Sequence, residues 1–480
     1  MTQGRRALAG LLAVAFVLRL VPVVLHPSLN WGDEVYQTTE QAHRLVYGYG
    51  LVPWEFQVGM RSWLLPGAIA GVMAVASAIA PGPAVYLPAI AGALGVLALA
   101  PVVCAFLWCR RALGVGPALL AALVAATAPE LVYFGDRALA EVLAAHVLVL
   151  GMYALLPGFT VRSVRRLALG GTLLGLVVAL RLQMLPAVLV VGLLMPRNVR
   201  VAPAAAGFAG ALLAGGTLDA VTLGAPFASV WRYVQYNLVE HASVSFGVQP
   251  WWYYGGAELA VWGGAIPLPL ALCVAGRRVV WAPAAIALVI IATHSLLGHK
   301  EQRFVYPALV MLAVQAGFGL AWAASWVTAR LPPESAMRGA VTPVSGVLWA
   351  VVALTVWQGT GMRILRERVH DQLQASAFAA AAPDVCGIGM YGPGPDAWAA
   401  FGGYTHLHQN VPLFWPANAT AFAADAPSFN LLLTGAMPPS GGFERQACFG
   451  SICTFRRPGS CAAHAPVPMP FPPGIAVPPG

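Results

Sequence analysis

Residues 279–328 read VVWAPAAIALVIIATHSLLGHKEQRFVYPALVMLAVQAGFGLAWAASWVT, and this stretch indicates the class of fold. Residues 279–298 and 304–328 contain no Asp, Glu, Lys or Arg. Each run has roughly the 20 apolar residues that a membrane-spanning helix needs. Between them, the link 299–303 holds two cations, one acid and a histidine. The stretch therefore predicts two spanning helices joined by a strongly polar link.

The whole chain has the composition of a polytopic membrane protein. Of its 480 residues, 59% are hydrophobic and only 9% are charged, and the mean hydropathy is +0.73. Soluble globular proteins carry about 25% charged residues. The net charge of +9 does not indicate nucleic-acid binding, because basic residues in a membrane protein mainly set its orientation.

We predict an all-α membrane domain over residues 1–362 with about 10–12 spanning helices. The apolar runs are residues 7–25, 63–80, 84–109, 115–133, 138–157, 167–196, 201–223, 257–276, 279–297, 304–328 and 340–361. The first run is expected to remain as a helix rather than to be cleaved as a signal peptide, because no convincing small-residue cleavage site is present.

Basic clusters between these runs set the predicted orientation, since cytoplasmic loops are enriched in Lys and Arg. The clusters are Arg5/Arg6, Arg110/Arg111, Arg162/Arg165/Arg166, Arg197/Arg200, Arg277/Arg278 and Arg330/Arg338. The loops on the opposite, external side are then residues 26–62, 134–137, 224–256 and 298–303, together with the tail.

Two apolar segments cannot each be counted as one membrane-spanning helix under this orientation. The uncharged stretch 63–109 must lead from outside to inside, so 63–80 is expected to be re-entrant or to lie in the external layer. Run 167–196 must begin and end inside, and Pro186 divides it. It is either a broken pair of short helices or a miscounted span. Irregular backbone at membrane depth is tolerated where it is buried or lines a cavity, which makes Arg181 and Gln183 candidate cavity residues.

The tail has a different composition from the rest of the chain. Residues 363–464 alternate short apolar patches with Pro and Gly, which predicts a small α/β or mostly β domain, and 465–480 reads as a Pro-rich disordered terminus. Four cysteines in this tail favour one or two disulfides in an oxidising compartment. These cysteines are Cys386, Cys448, Cys453 and Cys461.

The first external loop carries adjacent acids, Asp33 and Glu34, at the mouth of the first helix. A carboxylate close to the bilayer is costly unless it has a partner or a use, so both are candidate functional groups. The alternative is an interfacial anchoring loop whose charges are solvated. That alternative explains the interleaved tyrosines and tryptophans well but explains the adjacent acids less well.

The link 298–303 places His299, Lys300 and Arg303 outside the cytoplasm, against the charge rule. Such a cluster suggests that the link binds an anion, and a phosphate is the obvious one. The alternative is a polar turn that caps two helices. The aromatic loop 231–256 is either an interfacial belt or a platform for sugar rings. Carboxylates, cations and aromatic faces together suit a substrate with a lipid tail, a phosphate and a sugar.

Five motifs in these regions resemble, in family order, those of the Alg9-type and GPI mannosyltransferases. These enzymes are lipid-phosphomannose-dependent α-mannosyltransferases of glycosyltransferase family 22, with the GT-C membrane fold. The motifs are HPSLNWGDEVYQTTEQAHRLVYGYGLVPWEF (26–56), YFGDRALAE (133–141), YNLVEHASVSFGVQPWWYYGG (236–256), HKEQRFVYP (299–307) and GGYTHLHQNVPL (402–413). The fourth is similar to the family's HKEERF-type signature, and the fifth to its YSHxH segment.

The resemblance implies a polyprenyl- or dolichyl-phosphate mannose donor and an inverting transfer to a hydroxyl of a lipid-linked glycan or glycolipid. It implies that Asp33 is the general base, with Glu34 beside it. The implied donor-phosphate residues are His299, Lys300 and Arg303. The expected substrate contacts are Arg61, Asp136, Trp251 and Tyr253. No cofactor, metal or nucleotide sugar is expected.

Two alternatives to this function stay open. One is a GT-C transferase for another lipid-phosphate sugar, such as arabinose or glucose. The other is a lipid-linked glycan flippase, which should need charges through the depth of the cavity. The Ala- and Arg-rich composition with one lysine, Lys300, is typical of a high-GC bacterium. We therefore expect a multi-pass protein of a bacterial inner or plasma membrane, with its active site and C-terminal domain on the extracytoplasmic face and no nucleic-acid partner.

Overall fold

The computed structural model describes residues 2–156, 163–196, 201–392, 397–438 and 442–462. The chain forms two compact units. Unit 1 comprises Met1–Val21 and Ala91–Arg363, and unit 2 comprises Pro22–Ile90 and Ile364–Gly480. The predicted disordered terminus at 465–480, and the arginines Arg162, Arg197 and Arg200 of the basic clusters, lie outside the described residues.

Helices dominate the secondary structure. In chain order the α-helices are α1 Thr2–Leu25, α2 Glu40–Tyr47, α3 Trp54–Gln57, α4 Leu64–Ile79, α5 Pro83–Leu97, α6 Ala100–Leu113, α7 Val115–Thr127, α8 Pro129–Phe134, α9 Ala140–Leu155, α10 Val164–Leu180, α11 Leu185–Leu193, α12 Ala202–Leu223, α13 Ala228–Val234, α14 Tyr253–Trp262, α15 Pro267–Gly276, α16 Ala282–Ser295, α17 Tyr306–Arg330, α18 Met337–Gln358, α19 Thr360–Glu367, α20 His370–Ala380, α21 Ala397–Ala400, α22 Gly403–Leu407 and α23 Ala419–Asp425.

Short turns of 3₁₀ or π helix supplement these. They are Val35–Thr39, Leu182–Met184, Gln235–Val239, Ala242–Phe246, Gly263–Ala265, Gln302–Val305 and Ala426–Ser428. The strands are β1 Ile388–Tyr391, β2 Leu413–Phe414, β3 Leu431–Thr434, β4 Glu444–Phe449 and β5 Ile452–Arg456.

Some helices are long enough to span a membrane, and other apolar helices are shorter. In the described part of the chain, five are long and apolar enough to cross a membrane, namely Gly4–Leu25, Pro83–Leu113, Ala202–Leu223, Gln302–Arg330 and Met337–Gln358. A bent pair makes a sixth, Tyr253–Ala265 with Pro267–Gly276, which turn by 101°. Shorter apolar helices of 10–17 residues account for several of the other predicted runs.

The two ambiguous runs have distinct structures. The run 63–80 forms the single helix α4. The run 167–196 is broken, as one of the two alternatives predicted. Helix α10 ends at Leu180, Arg181 is extended with φ −149° and ψ 99°, and a 3₁₀ turn leads into α11. The break therefore precedes Pro186 and coincides with a charged residue.

Small residues let the helices of unit 1 approach one another closely. Helix α10 packs on α12, where a Cβ at Gly171 would stand 1.8 Å from the carbonyl oxygen of Ala204. Helix α15 packs on α17, where a Cβ at Gly319 would stand 1.9 Å from the carbonyl oxygen of Leu272. Any side chain at these glycines would separate the helices, and such contacts are typical of helix packing in membranes.

Unit 2 contains a five-stranded mixed sheet in the order β2-β1-β3-β5-β4. Strand β1 pairs in parallel with β2 and β3, whereas β5 pairs antiparallel with β3 and β4. Together with helices α20–α23 this is the α/β form of the predicted C-terminal domain. Its strands β1 and β3 are almost wholly buried, as expected for central strands that read as continuous apolar runs.

The core of unit 2 includes residues of the first external loop. Leu29, Val35 and Tyr36 belong to the same buried cluster as Ile388 and Leu431 of the sheet. The backbone N–H of Leu29 also donates to the carbonyl oxygen of Arg368. The first external loop, which the sequence assigns to the membrane domain, therefore packs with the C-terminal segment.

Both pairs of tail cysteines are disulfide-bonded. Cys386 bonds to Cys461 across 75 residues, and Cys448 bonds to Cys453 across 5 residues. The free thiols of the described residues are Cys104, Cys109 and Cys273. The prediction of one or two disulfides in this segment is confirmed.

Serine replacement of Cys386 and Cys461 is expected to destabilise unit 2 more than the same change at Cys448 and Cys453. A cross-link that closes a longer loop removes more entropy from the unfolded chain, and the difference for these loops is about 2 kcal/mol. Thermal unfolding of the two double variants measures the order. Thiol labelling of the native protein that modified any of the four tail cysteines would contradict the pairing.

Candidate active site

The two adjacent acids of the first external loop, Asp33 and Glu34, have different surroundings. The carboxylate of Glu34 is buried and accepts hydrogen bonds from the backbone N–H groups of Asn30 (3.1 Å) and Trp31 (3.4 Å). It therefore closes the turn 30–34 that leads into the π-helical segment Val35–Thr39. Asp33 is partly exposed and interacts electrostatically with Glu55. Of the two acids, Asp33 thus has the surroundings that suit a base which must meet a substrate.

Glu55 forms a second acidic pair with Asp33. It lies on α3 with 8% of its surface exposed, and its carboxylate accepts a hydrogen bond from Gln37 at 2.8 Å. Burial raises the pKa of Glu55 to about 7, the Arg61 guanidinium opposes this shift, and Asp33 adds to it. The predicted residues Asp33 and Arg61 therefore both interact with an acid that is partly protonated near neutral pH.

Glu55 is expected to make the stability of the protein depend on pH. The pKa of Glu55 in the folded state lies above its value of about 4.3 in the unfolded state. At pH values between these two pKa values the folded state binds more protons than the unfolded state, so the free energy of unfolding falls as the pH rises. The slope is at most about 1.4 kcal/mol for each pH unit. The melting temperature of the wild type should fall more steeply from pH 5 to pH 8 than that of Glu55→Gln. Parallel slopes would contradict this origin.

Glu40 fixes the first loop to the tail motif. Its buried carboxylate accepts from the N–H of Leu51 (2.8 Å), the N–H of Tyr404 (3.2 Å), and both the N–H (2.9 Å) and the hydroxyl (2.7 Å) of Thr405. Gly403 adopts φ +59°, and a Cβ there would stand 2.8 Å from a Glu40 oxygen. The second glycine of GGYTHLHQN is therefore required by this contact.

Histidines of the two segments also meet. The Nε2 atom of His43 lies 3.2 Å from Nδ1 of His408, and Nδ1 of His43 donates to the carbonyl oxygen of Tyr49 at 3.0 Å. Burial lowers the pKa of His43 to about 4. The Nε2 atom of a neutral His43 can accept a hydrogen bond from Nδ1–H of His408, so the pair adds a hydrogen bond without adding buried charge.

In unit 1, the cationic link is tied to acids. Arg303 is buried, and its guanidinium contacts Glu301 at 2.6 Å and Glu141 at 3.1 Å. Glu141 also pairs with Arg181 at 3.5 Å. Two arginines therefore face two carboxylates, so Arg303 has acidic partners within unit 1, whereas Lys300 donates to backbone carbonyl oxygens.

His299 extends this network toward solvent. Its Nε2 atom lies 2.9 Å from Glu301, and that hydrogen bond raises the pKa of His299 above its usual value. Burial opposes ionisation of Glu301, but Arg303 and His299 lower its pKa to about 2. A protonated His299 would give the group of Arg181, Glu141, Arg303 and Glu301 a single net positive charge.

Lys300 has a different environment from its neighbours. Its buried ammonium donates to the backbone carbonyl oxygens of Gln249 (2.9 Å), Gly298 (3.5 Å) and Leu297. It therefore joins the aromatic loop to the link. A role at the donor phosphate stays a prediction, and the observed contacts are structural.

The predicted substrate contacts of unit 1 are dispersed. Asp136 is buried and interacts electrostatically with Arg19 and Tyr306. Trp251 is 75% exposed, and Tyr253 packs edge-on against Tyr254 with ring centres 5.4 Å apart. Tyr253 adjoins the charged link, through its electrostatic interaction with Glu301.

A family assignment rests on comparison with known sequences. The Alg9-like mannosyltransferase family matches residues 11–390 of this chain. The chain belongs to the Alg9-like mannosyltransferase family. The match includes the four motifs between residues 26 and 307 and confirms the predicted family, while the tail motif at 402–413 lies beyond it.

Similar members of the Alg9-like family come from eukaryotes. Mannosyltransferase APTG1 of Arabidopsis thaliana is 26% identical over 320 residues, which is 63% of this chain and 57% of that protein. GPI mannosyltransferase 3 of Yarrowia lipolytica is 26% identical over 323 residues, 64% of this chain and 61% of that protein. The matches thus span less than two thirds of the length of these relatives.

The predicted GT-C fold is confirmed by structural similarity. The crystal structure of ArnT from Cupriavidus metallidurans bound to undecaprenyl phosphate has a TM-score of 0.62, with 13% identity, 95% of this chain covered and 99% of that chain. The apo form gives 0.58. At this identity the likeness shows the fold alone.

Two residues of this Alg9-like family member escaped the sequence interpretation, and a third was recognised only in part. Glu55 lies at the end of the quoted first-loop motif, and Glu141 is the last residue of YFGDRALAE, so both were within reach of motif reading. Arg181 was a candidate only for lining a cavity. Spacing along the chain gave no sign that Arg181, Glu141 and Arg303 meet, because they belong to different helices and loops.

Proposed function

We propose that this protein transfers mannose from a polyprenyl- or dolichyl-phosphate carrier to a hydroxyl of a lipid-linked glycan or glycolipid, with inversion. Membership of the Alg9-like mannosyltransferase family supports the transferase class. The relatives' names supply mannose as the sugar, and the neighbour ArnT, bound to undecaprenyl phosphate, supplies the chemistry of the carrier.

The observation that carries the proposal is the acid group of the first external loop, in which the buried Glu55 interacts electrostatically with the partly exposed Asp33 and with Arg61. An acceptor hydroxyl is a weak nucleophile, so a base must take its proton as the new bond to the anomeric carbon forms. Asp33 is that base in our proposal. Glu34 remains the second candidate, although its carboxylate holds backbone N–H groups. Arg61 would orient the acid pair and contact the sugar.

The bond changes require no redox partner. The acceptor oxygen loses its proton to Asp33 and forms a bond to the anomeric carbon. The bond from that carbon to the phosphate oxygen breaks, and its electron pair leaves with the lipid phosphate. Cations that stabilise the departing phosphate replace a general acid. We assign this task to Arg303, with His299 and Lys300 as predicted contributors, and we assign no metal to it.

The remaining predicted contacts complete the assignment. Asp136 would bind hydroxyls of the acceptor, and Trp251 with Tyr253 would offer aromatic faces to a sugar ring. The large exposed fraction of Trp251 supports an interfacial or substrate-facing position. Each of these roles is tested by the variant at that position in the assay below.

Mannose transfer in vitro tests the proposal. Purified protein in lipid nanodiscs would receive synthetic polyprenyl-phosphate mannose and bacterial membrane glycolipids, with products identified by mass spectrometry. We expect a mannosylated glycolipid, formed also in the presence of EDTA. Transfer of arabinose or glucose in place of mannose would favour the alternative donors, and movement of glycolipid between leaflets without any transfer would favour the flippase.

The sidedness of this chemistry is part of the proposal. We place the acid loop, the link 298–303 and the disulfide-bonded tail on the extracytoplasmic face of a bacterial membrane. The six basic clusters and the oxidised cysteines support this orientation. A C-terminal alkaline phosphatase fusion is expected to be active and a C-terminal GFP fusion dark after export. The reverse pattern would overturn the orientation.

A further inference from the structure

Among the buried polar atoms of unit 1 that have no hydrogen-bond partner within the described part of the chain, three lie on neighbouring elements. They are Nε of Arg181, the hydroxyl of Tyr254 and Nε2 of His294. Their residues are 7%, 3% and 2% exposed. Helices α14 and α16, which carry Tyr254 and His294, contact each other and the turn Gln302–Val305. Arg181 lies over Phe304 of that turn, so the three residues form one group. Buried polar groups are nearly always hydrogen-bonded, and a group of three that is not suggests a ligand.

The Arg181 guanidinium is the cationic member of this group. Its ion pair with Glu141 is 3.5 Å long, whereas the same carboxylate lies 3.1 Å from Arg303. The remaining face of Arg181 lies over the ring of Phe304 at 4.9 Å. A guanidinium has five N–H donors in a planar fork that matches a phosphate. One shared carboxylate leaves most of these donors for an anion.

His294 contributes a hydrogen-bond acceptor, whereas Arg181 contributes donors. Its Nδ1 atom lies 2.8 Å from the carbonyl oxygen of Ile290, which can only accept, so Nδ1 carries the proton. In the neutral ring Nε2 is then an acceptor and can receive a hydrogen bond from a hydroxyl. The hydroxyl of Tyr254 can donate to an anion. The group thus offers a cation and a donor for a phosphate, and an acceptor for a sugar hydroxyl.

The backbone at this group is irregular. Arg181 follows the end of α10, and its extended conformation separates that helix from the 3₁₀ turn Leu182–Met184. Tyr254 lies on α14 and His294 near the end of α16. Non-helical backbone within an apolar segment is tolerated where it is buried in protein or lines a cavity. The break therefore gives Arg181 a position that an unbroken helix would not.

We propose that Arg181, Tyr254 and His294 form the binding site for the headgroup of the donor lipid. Arg181 and Tyr254 bind the phosphodiester, and His294 accepts a hydrogen bond from a hydroxyl of the attached sugar. Glu141 is a positioning residue that holds Arg181 beside Arg303. This inference rests on the proposed function, and it adds to the charged link two buried residues, Arg181 and His294, that lie outside the quoted motifs.

Binding of undecaprenyl phosphate, without a sugar, tests the phosphate part in the full-length protein. We expect Arg181→Gln to weaken binding by about 10- to 150-fold and Tyr254→Phe by about 2- to 12-fold, from the usual contributions of charged and neutral hydrogen bonds. Arg166→Gln is the matched control, because Arg166 lies on α10 and donates to the carbonyl oxygens of Tyr153 and Ala154. Its affinity should equal that of the wild type.

A double variant distinguishes a role of Arg181 in phosphate binding from a role in neutralising Glu141. If Arg181 only neutralises Glu141, then Glu141→Gln combined with Arg181→Gln should restore wild-type affinity, and this result would overturn the inference. We expect the double variant to bind as weakly as Arg181→Gln. Circular dichroism and melting temperatures establish that the variants are folded, and Tyr254→Phe is conservative enough to serve should Arg181→Gln unfold.

The sugar part has its own readout. His294→Gln should weaken binding of polyprenyl-phosphate mannose but not of undecaprenyl phosphate, and equal effects on both lipids would overturn the role of His294. Inorganic phosphate should not displace either lipid, and displacement at equal concentration would overturn the assignment to a lipid headgroup. Wild-type protein that bound neither lipid would refute the proposed function as well. Wild-type binding with an unaffected Arg181→Gln would refute only this inference.

Discussion

Replacement of Asp33 by asparagine is expected to reduce mannose transfer by roughly 10²- to 10⁴-fold, the usual contribution of a positioned general base. Asparagine keeps the size of the side chain but cannot accept the proton of the acceptor hydroxyl. Donor binding should be unchanged, because the base acts on the acceptor. Turnover in nanodiscs, compared with equilibrium binding of the donor, measures both consequences in one preparation.

Two other acids provide the comparison for Asp33. Glu34→Gln retains an oxygen that can accept from the N–H groups of Asn30 and Trp31, so its fold should survive. If Glu34→Gln lost turnover while Asp33→Asn kept it, the roles of the pair would be exchanged. Glu444→Gln removes a charge from the exposed strand β4 of the same unit and is the matched control. Wild-type turnover by both Asp33→Asn and Glu34→Gln would exclude this loop as the source of the base.

Arg303→Ala is expected to raise the donor KM by roughly 10- to 150-fold, which corresponds to the loss of one charged hydrogen-bond partner of phosphate. The acceptor KM should change little. Lys300→Ala is expected to act in the same direction, and its loss of three carbonyl contacts should also lower the melting temperature. Steady-state kinetics with varied donor and fixed acceptor measure the effect.

The buried surroundings of Arg303 require a check on folding. Removing one partner of a buried ion pair typically costs about 3–5 kcal/mol, and Arg303→Ala leaves Glu301 without its guanidinium. Arg303→Gln combined with Glu301→Gln removes both charges and should be better folded, yet equally poor in donor use. Arg277→Ala, an exposed arginine of the same unit, is the control. Equal donor KM values for the wild type, Arg303→Ala and Lys300→Ala would show that the link is only a polar turn.

The sequence by itself determined the class of protein and most of its outline. Long uncharged apolar runs can be stable only in a membrane or a large core, and composition excluded the second. Four clustered cysteines predicted the disulfides, and Pro186 marked run 167–196, for which a break was one of two alternatives. Five ordered motifs were sufficient to identify the family. These features are local, because each is written in a continuous segment whose physical preference does not depend on distant residues.

Only the tertiary structure decided which side chains meet. Glu40 binds Thr405 from 365 positions away, and Glu141 lies between Arg181 and Arg303. It also distinguished Asp33, which interacts electrostatically with Glu55, from Glu34, which accepts hydrogen bonds from the backbone N–H groups of Asn30 and Trp31. Adjacent acids in a sequence are equivalent until the fold gives their carboxylates different neighbours. Charge balance inside an apolar fold depends on packing across long separations, and no pattern within a single segment records it.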